Sequence, residues 1–313
     1  MQHDAVIVGG SFSGLSAALM LARGHRKVLV VDAGLPRNRH AAHSHGLLAL
    51  DGMPGSAVLA QAKAQLLAYP TVEWWDGQVE EATALPGGWD VALADGRRIR
   101  TRGMVLATGV VDQLPDLPGV AERWGHTVMH CPYCHGYELG RQARIGVLGN
   151  GTAMSAEQAL MLADWGRVTL FAQGMPLDDA ELMAKLAKLA RRGVQLETRR
   201  AIALEGEGTA IDGMRVDDGA LVQIQALFLG APTRMASPLA ERLGCRFEQG
   251  PLSPYLSVDE KKLTSVPRVY AAGDAARMFG NATLASADGV IAGIGLHHAL
   301  IAEDSEQDAA AAA

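Results

Sequence analysis

The sequence predicts an α/β fold made of two Rossmann-like domains. Two glycine-rich turns carry this prediction: GGSFSG at residues 9–14 and GNGTAM at residues 149–154. Each turn follows a short apolar run typical of a buried parallel strand and leads into a helical pattern. Such a unit lets backbone amides approach a pyrophosphate, and the helix N-terminus stabilises its negative charge. The 313 residues are enough for two domains of this kind.

The first Rossmann-like unit is expected to begin at the N-terminus. A strand over 4–8, a helix over 13–23 and a second strand over 27–32 form its βαβ opening. Asp32 ends the second strand, where a carboxylate binds a ribose hydroxyl in nucleotide-binding domains. The elements that follow are expected to be a helix over 54–68, an antiparallel meander over 72–106 and an apolar strand, Val105–Gly109, that ends in glycine.

A proline-rich segment, 113–119, is the candidate linker to the second unit. The second βαβ opening is expected to comprise a strand over 144–149, a helix over 152–164 and a strand over 167–172. Beyond it the pattern predicts a charged helix over 178–192, short strands up to Leu229, a strand over 269–274 and a long helix over 282–302. The charged and alanine-rich tail, 303–313, is expected to be frayed.

Composition and charge narrow the range of partners. A net charge of −6 disfavours nucleic acid, and the five tryptophans do not alternate with Lys or Arg. The N-terminus lacks the basic region of a signal peptide, and we expect no apolar stretch long and uninterrupted enough to span a bilayer. Three cysteines in so long a chain do not form a disulfide framework, which favours a reducing, cytoplasmic setting.

The two glycine turns differ in how well they suit a nucleotide. The first has Ser11 in place of the middle glycine but keeps its strand, its helix and Asp32, which favours a bound dinucleotide over an empty tight turn. The second has Met154 in place of the third glycine. Its next strand ends in FAQG at 171–174, without the Arg of an NADP site or the acidic residue of an NAD site. We therefore expect a Rossmann fold there that binds no nucleotide well.

Cys131 and Cys134 form a Cys-X-X-Cys pair, the most informative motif of the chain. Pro132 suits the first position of a helix, and a helix N-terminus lowers a thiol pKa from about 8.5. His130 and His135 flank the pair and are candidates to move protons. A redox dithiol is favoured over a zinc site, which lacks a second ligand pair, and over a c-type haem attachment, which needs export. We expect no metal site, and Cys245 is expected to be buried and inert.

The order of these motifs resembles the low-molecular-weight thioredoxin reductase family over nearly the whole chain. The strings that carry the resemblance are GGSFSG, Asp32, Ala107-Thr108-Gly109, the cysteine pair, GNGTAM and Ala272-Gly273-Asp274. The resemblance implies two FAD/NAD-type domains and a homodimer. The first domain, discontinuous in sequence, would span 1–112 plus 246–313 and bind FAD, and the second would span 113–245 and carry the dithiol.

The resemblance also implies roles for individual residues. Cys134 would be the thiol nearer the flavin, and Cys131 the one that exchanges with substrate. The loop that contains His40, His43 and His45 is expected to line a cofactor or substrate site. The residues assigned to FAD are Gly9, Gly10, Ser11, Gly14, Asp32, Arg37, His45, Val79, Thr108, Gly109, Gly273, Asp274, Asn281 and Ala282.

Two departures from thioredoxin reductases point to a particular branch of the family. His135 stands where those enzymes usually have an Asp after the second cysteine, and FAQG replaces their Arg-rich stretch. The string HCPYCHGYE at 130–138 is similar to the FAD-dependent dithiol oxidases that close disulfides in gliotoxin, holomycin and romidepsin. The resemblance implies an enzyme of antibiotic biosynthesis that forms a disulfide in a small dithiol, while oxygen reoxidises FAD and yields hydrogen peroxide. His130, with His135 as second candidate, would take the thiol protons.

Two other functions remain open from the sequence. The second glycine turn supports an NAD(P)H-dependent reductase that passes electrons through FAD to a thioredoxin-like protein. A flavin-loaded redox sensor without turnover is the third possibility.

Overall fold

The computed structural model describes residues 2–177 and 179–311. The strands and helices up to residue 112 are β1 (Gln2–Val8), α1 (Phe12–Arg23), β2 (Val28–Asp32), α2 (Gly55–Leu67), β3 (Val72–Asp76), β4 (Val79–Leu85), β5 (Gly88–Leu93), β6 (Arg98–Leu106) and β7 (Val110–Asp112). The next are β8 (Val128–Met129), α3 (Pro132–Leu139), β9 (Ala143–Leu148), α4 (Met154–Leu162), β10 (Gly166–Phe171), α5 (Ala180–Arg191) and β11 (Gln195–Glu197). The last are β12 (Ala201–Glu205), β13 (Gly213–Val216), β14 (Leu221–Val222), β15 (Ala226–Leu229), β16 (Thr233–Met235), α6 (Leu239–Arg242), β17 (Phe247–Gln249), β18 (Pro254–Leu256), β19 (Val269–Ala271) and α7 (Ala282–Ala311).

The described residues form two compact units. Unit 1 comprises Met1–Arg37, Ser56–Val111 and Thr233–Ala313, and unit 2 comprises Asn38–Gly55 and Asp112–Pro232. The α/β class expected from the sequence is therefore observed in each unit, as described next.

Unit 1 is built on a sheet with the strand order β3-β2-β1-β6-β5-β4, in which β19 also pairs with β6. Strands β3, β2, β1, β6 and β19 run parallel, and β4 and β5 join antiparallel. The prediction of an antiparallel meander over 72–106 is therefore wrong for its first strand, β3. This strand pairs in parallel with β2, starting with Val72 opposite Val28. The crossover through α2 places β3 on the outer side of β2, as in other βαβ units.

The core of unit 1 lies between this sheet and the helices α1 and α7. Ile7, Val30 and Val105 of the sheet pack with Leu21 of α1 and Leu296 of α7, all buried. Burial of such side chains stabilises the fold by roughly 1.5–3 kcal/mol each. Residues 5–8, 28–31 and 104–106 of the parallel strands are apolar and buried, because a hydrophobic cluster covers each face of the sheet there.

Helix α7 is longer than the sequence pattern predicted. The tail expected to be frayed continues the helix as far as Ala311, and Arg102 explains the extension. Its guanidinium pairs with Glu303 at 3.1 Å and with Asp304 at 2.6 Å, and Arg26 pairs with Asp304 at 2.6 Å. By length and composition alone, α7 is apolar enough to cross a membrane, although the sequence predicted no such stretch. Its residues Ala292, Leu296 and Leu300 are buried against the core of unit 1.

Unit 2 has a parallel sheet with the strand order β11-β10-β9-β15-β8 and a smaller antiparallel sheet, β12-β13-β14. Ile145, Leu170 and Phe228 of the parallel sheet pack under α4 and α5. The expected helix over 178–192 is observed as α5, and Asp178 lies outside the described residues. Helix α3 precedes β9 and packs beside α4.

The units differ from the expected domain limits in two segments. Residues 38–55 belong to unit 2, where the backbone of His40 lies so close to Gly125 that a Cβ there would be 2.6 Å from its carbonyl carbon. Residues 233–245 belong to unit 1, because Leu239, Ala240 and Cys245 are part of its core. Neither assignment follows from local sequence, since both depend on contacts with distant segments.

Candidate functional site

Cys131 and Cys134 are joined by a disulfide at the start of α3. Cys131 is the N-cap of this helix, Pro132 is its first residue, and the Cys131 Sγ accepts a hydrogen bond from the Cys134 N–H at 3.2 Å. Both cysteines are half-buried. When the disulfide opens, the helix N-terminus and this N–H stabilise a thiolate on Cys131. The sulfurs are bonded to each other, so they ligate no metal here.

His135 follows the disulfide within α3 and is half-buried. Burial lowers the pKa of His135, the neighbouring His45 lowers it further, and Glu138 raises it. A lowered pKa leaves this imidazole neutral around pH 7, as a proton acceptor must be. His135 therefore has the protonation state required of a base beside a thiol.

His130 precedes the disulfide and lies in a different environment. Its ring centroid is 5.9 Å from that of Trp124, and its backbone carbonyl accepts a hydrogen bond from Gln158 Nε2 at 2.8 Å. The side chain is half-buried. These contacts fix the segment that leads into Cys131.

His45, which the resemblance assigns to FAD, lies in unit 2 with the dithiol helix. Its Nδ1 is 3.5 Å from Glu138 Oε1 and 3.7 Å from Asp51 Oδ1. Sequence reasoning did not single out Glu138, although it closes the matched string at 130–138. The spacing in the sequence could have identified Glu138, because residues three apart on a helix share a face and Glu138 is three residues after His135.

Two tyrosines on α3 present large apolar rings to solvent. Tyr133 is 72% exposed and Tyr137 is 84% exposed, and a spacing of four places them on one face of the helix. Tyr133 also makes an edge-to-face contact with Trp165 at 5.4 Å. Leu48, in the same unit, is 96% exposed. Exposed apolar side chains of this size next to a reactive disulfide indicate a binding surface.

At the second glycine turn, the side chain at the position where a nucleotide ribose would be recognised is bonded to the protein itself. The side-chain amide of Gln173, at the end of β10, donates from Nε2 to the Ala201 carbonyl at 3.2 Å and accepts from the Ala201 N–H at 2.9 Å. Within the turn, Asn150 Oδ1 accepts from the hydroxyls of Thr152 at 2.7 Å and Ser155 at 2.9 Å. The side-chain amides of Gln173 and Asn150 are thus engaged within the protein itself.

The first glycine turn, in unit 1, has the geometry of a pyrophosphate site. Among the described residues α1 has no side-chain cap, and its N-cap Ser11 is in an extended conformation. The first amides of such a helix are left for an anion. Gly14 lies against the backbone of Gly9, which is possible only without a Cβ. Asp32 Oδ1 accepts from the Gly10 N–H at 2.9 Å, which holds the carboxylate at the turn.

A second group of assigned residues meets α1 from the C-terminal part of unit 1. A Cβ on Gly273, which has a φ of +77°, would lie 2.7 Å from the Ser13 hydroxyl. Asp274 Oδ2 pairs with Arg37 Nη1 at 2.9 Å. Asn281 caps α7 by accepting from the Leu284 N–H at 2.8 Å, directly before Ala282 begins the helix. Two helix N-termini and glycine-lined backbone fit the phosphates and the flavin of FAD.

The other assigned residues of unit 1 divide by burial. Val79 is 1% exposed and packs in the core, so it offers FAD only its backbone. Thr108 is half-buried, and Gly109 has a φ of +66°, a conformation that favours glycine. Trp74, which the sequence did not single out for FAD, covers the turn: a Cβ on Gly10 would lie 2.2 Å from its Cη2.

We expect Gly14→Ala to reduce FAD retention. The new Cβ would lie 1.8 Å from the Gly9 carbonyl oxygen, a backbone atom, so α1 must move away from the turn. Overpacking of this kind costs about 1–3 kcal/mol of unfolding free energy. The flavin-to-protein absorbance ratio and a thermal melt measure the two effects. Ser16→Ala, on the same helix, is the control, and equal flavin content in the two variants would contradict the assignment.

Comparison with known proteins gives consistent matches. The model of the pyridine nucleotide-disulphide oxidoreductase family matches residues 3–289. Thioredoxin reductase tcpT of Claviceps purpurea strain 20.1 is 33% identical over 300 residues, which cover 93% of this chain and 92% of tcpT.

Two solved structures share the fold over nearly their whole length. An oxidoreductase from Agrobacterium tumefaciens is 41% identical with a TM-score of 0.90, covering 96% of this chain and 99% of its own. HlmI is 34% identical with a TM-score of 0.89, covering 99% of this chain and 96% of its own. These matches confirm the α/β class with two Rossmann-like domains.

Proposed function

Since the chain belongs to the pyridine nucleotide-disulphide oxidoreductase family, we propose that it is a flavin-dependent dithiol oxidase. It forms an intramolecular disulfide in a small-molecule dithiol through Cys131 and Cys134. The chain is a thioredoxin-reductase-like flavoprotein, and FAD is its cofactor, as the resemblance implied. The proposed part is the direction of electron flow, from substrate thiols to oxygen.

One observation carries the proposal. Gln173, at the position that reads the ribose end of a nicotinamide nucleotide, has its amide bonded to the backbone of Ala201 through both of its polar atoms. A site without an acidic or Arg partner for the ribose grips NAD(P)H poorly. The redox disulfide at Cys131–Cys134 is nonetheless present, and its cysteines are half-buried. Thiols are then the better electron source for this protein.

The chemistry of the dithiol follows from the geometry of α3. A substrate thiolate attacks Cys131 Sγ, the Cys131–Cys134 bond breaks, and Cys134 leaves as a thiolate. The second substrate thiolate then displaces Cys131, which leaves as a thiolate stabilised by the helix N-terminus. The substrate loses two electrons and two protons, and the enzyme disulfide gains the electrons. His135, neutral because burial lowers its pKa, takes the proton from an attacking thiol.

FAD would be held by the uncapped N-terminus of α1, by Asp32 and by the Gly273 turn with Asp274. When bound, it supplies a two-electron acceptor that molecular oxygen reoxidises, with hydrogen peroxide as the product.

The exposed surface of α3 supports a small apolar substrate. Tyr133 and Tyr137 offer ring faces beside the disulfide, and Glu138 is the acidic group of the same helix. Natural-product dithiols have the size and apolar character that two aromatic side chains recognise. A cytoplasmic location and a homodimer belong to the proposal as well, and light scattering tests the second.

We expect purified holoprotein to consume oxygen when dithiothreitol is added without NADPH. Because no nucleotide is required, adding NADPH should leave the rate unchanged. An oxygen electrode coupled to a peroxide assay measures one peroxide formed for each oxygen consumed. Flavin that stays oxidised when the dithiol is added under nitrogen would contradict the proposal.

The second candidate is an NAD(P)H-dependent disulfide reductase. Helix α4 favours it, because the N-cap residue Ala153 provides no side-chain hydrogen bond and the helix keeps its glycine turn. Rapid bleaching of the flavin by NADPH under nitrogen, and slow bleaching by dithiols, would support this function instead. Bleaching by a dithiol without any turnover in air would support a redox sensor.

A further inference from the structure

Glu138 lies where it does little for the stability of α3. It is the last residue but one of a helix that ends at Leu139. A carboxylate there meets the negative end of the helix dipole, which is unfavourable. Its side chain is 43% exposed, and its carboxylate lies beside His45. The position of this carboxylate therefore calls for a reason other than helix formation.

One histidine contacts the carboxylate, and a second lies on the same face of its helix. Glu138 Oε1 is 3.5 Å from His45 Nδ1, and the spacing of three residues places Glu138 on the face of α3 that carries His135. Asp51 approaches the same nitrogen of His45, with its Oδ1 at 3.7 Å from Nδ1, and it accepts a hydrogen bond from the Gly46 N–H at 2.7 Å. The loop that contains His45 is thus fixed beside the dithiol helix within unit 2.

The charged groups that act on His135 oppose one another. Glu138 raises the pKa of His135, whereas His45 and burial lower it. A buried imidazole that accepts a proton pays the desolvation cost of a cation, and a nearby carboxylate offsets that cost. The balance between Glu138 and His45 therefore sets how readily His135 takes a thiol proton.

We propose that Glu138 is a positioning residue for the dithiol chemistry, whose carboxylate stabilises His135 when that ring carries the proton taken from a thiol. His45 is its counterweight, because it acts on His135 in the opposite direction. This inference rests on the proposed function, in which His135 is the proton acceptor. The transfer moves one proton from sulfur to the imidazole and moves no electrons.

NMR titration of the holoprotein, labelled at histidine Cε1, tests the proposal without turnover. We expect Glu138→Gln to lower the pKa of His135 and His45→Asn to raise it, because Glu138 raises that pKa and His45 lowers it. A packing role would not produce shifts of opposite sign. His135→Asn assigns the signal, and Glu157→Gln, whose carboxylate pairs with Lys185 at 2.8 Å on the neighbouring α4, is the matched control.

The kinetic counterpart is the rate at which dithiothreitol bleaches the flavin under nitrogen. Glu138→Gln should slow this rate by roughly a factor of ten, with the acid limb of its pH profile displaced to lower pH. Titration curves that coincide with wild type in both variants, or that move in the same direction, overturn the proposal. If the pKa of His135 shifts in opposite directions in the two variants but the protein consumes no oxygen with dithiols, the electrostatic role of Glu138 stands and the oxidase function is rejected.

Discussion

Replacing either cysteine of the pair, as Cys131→Ser or Cys134→Ser, should reduce dithiol-dependent oxygen consumption by at least about a thousandfold, the scale lost when a residue that forms a covalent intermediate is removed. Each variant lacks the disulfide that a substrate thiolate attacks. FAD should remain bound, because the residues assigned to it in unit 1 are unchanged. Oxygen uptake and the flavin absorbance spectrum measure the two properties on one sample.

The two serine variants should differ in thiol reactivity. Cys134→Ser keeps Cys131 at the N-cap of α3 together with the backbone N–H that donates to its sulfur, so its thiolate is stabilised. An aromatic disulfide reagent should label this variant faster than Cys131→Ser, and mass spectrometry should find the label on Cys131. The opposite order of rates would reverse the roles that the resemblance gives to the two cysteines.

Cys245→Ser is the matched control for both measurements. Cys245 is 7% exposed, and burial raises the pKa of its thiol, which leaves it protonated and unreactive at neutral pH. Oxygen consumption close to the wild-type rate is expected. A large loss of activity in this variant would mean that the effect of the other two arises from general damage to the fold.

The features that the sequence predicted correctly are those determined by residues close together in the sequence. The βαβ openings and the place of Pro132 after the N-cap depend on neighbours in sequence. Apolar periodicity and capping residues identify such elements because both act within a few residues. The glycine turn at 9–14 belongs to the same class.

The features that the sequence missed depend on contacts between distant segments. The amide of Gln173 is used by Ala201, 28 residues away, and Arg102 extends α7 through Glu303 and Asp304. The pair His45–Glu138 forms because residues 38–55 pack in unit 2, which no local pattern indicates. The partners of ion pairs and side-chain amides depend on the tertiary structure, which sequence spacing does not give.

The two flanking histidines differ in how well their surroundings suit a base. His130 was the first candidate from sequence and His135 the second, and both remain proposals. Both histidines are half-buried; the ring of His130 contacts Trp124, and burial lowers the pKa of His135. A neutral imidazole suits acceptance of the proton of an attacking thiol. Replacing each histidine in turn distinguishes the two.

His135→Asn should slow the anaerobic reduction of the enzyme disulfide by dithiothreitol by about 10²–10⁴-fold, the usual contribution of a general base. Asn keeps much of the ring volume but accepts no proton. Because burial lowers the pKa of His135, the wild-type rate should persist to pH values below the ordinary imidazole range and fall only when the ring becomes protonated. The variant should instead gain rate with rising pH, since thiols with a pKa of about 8.5 ionise without help.

His130→Asn separates this role from that of the other flanking histidine. If His135 is the base, the His130 variant keeps the wild-type pH profile, and its rate falls only by the amount that the lost contact with Trp124 costs in local order. If the two variants exchange these behaviours, His130 is the base and the resemblance ranked them correctly. If both histidine variants match the wild-type rate at every pH, substrate thiols reach Cys131 already ionised. Stabilisation of the thiolate at the N-terminus of α3 would then account for the exchange without a protein base.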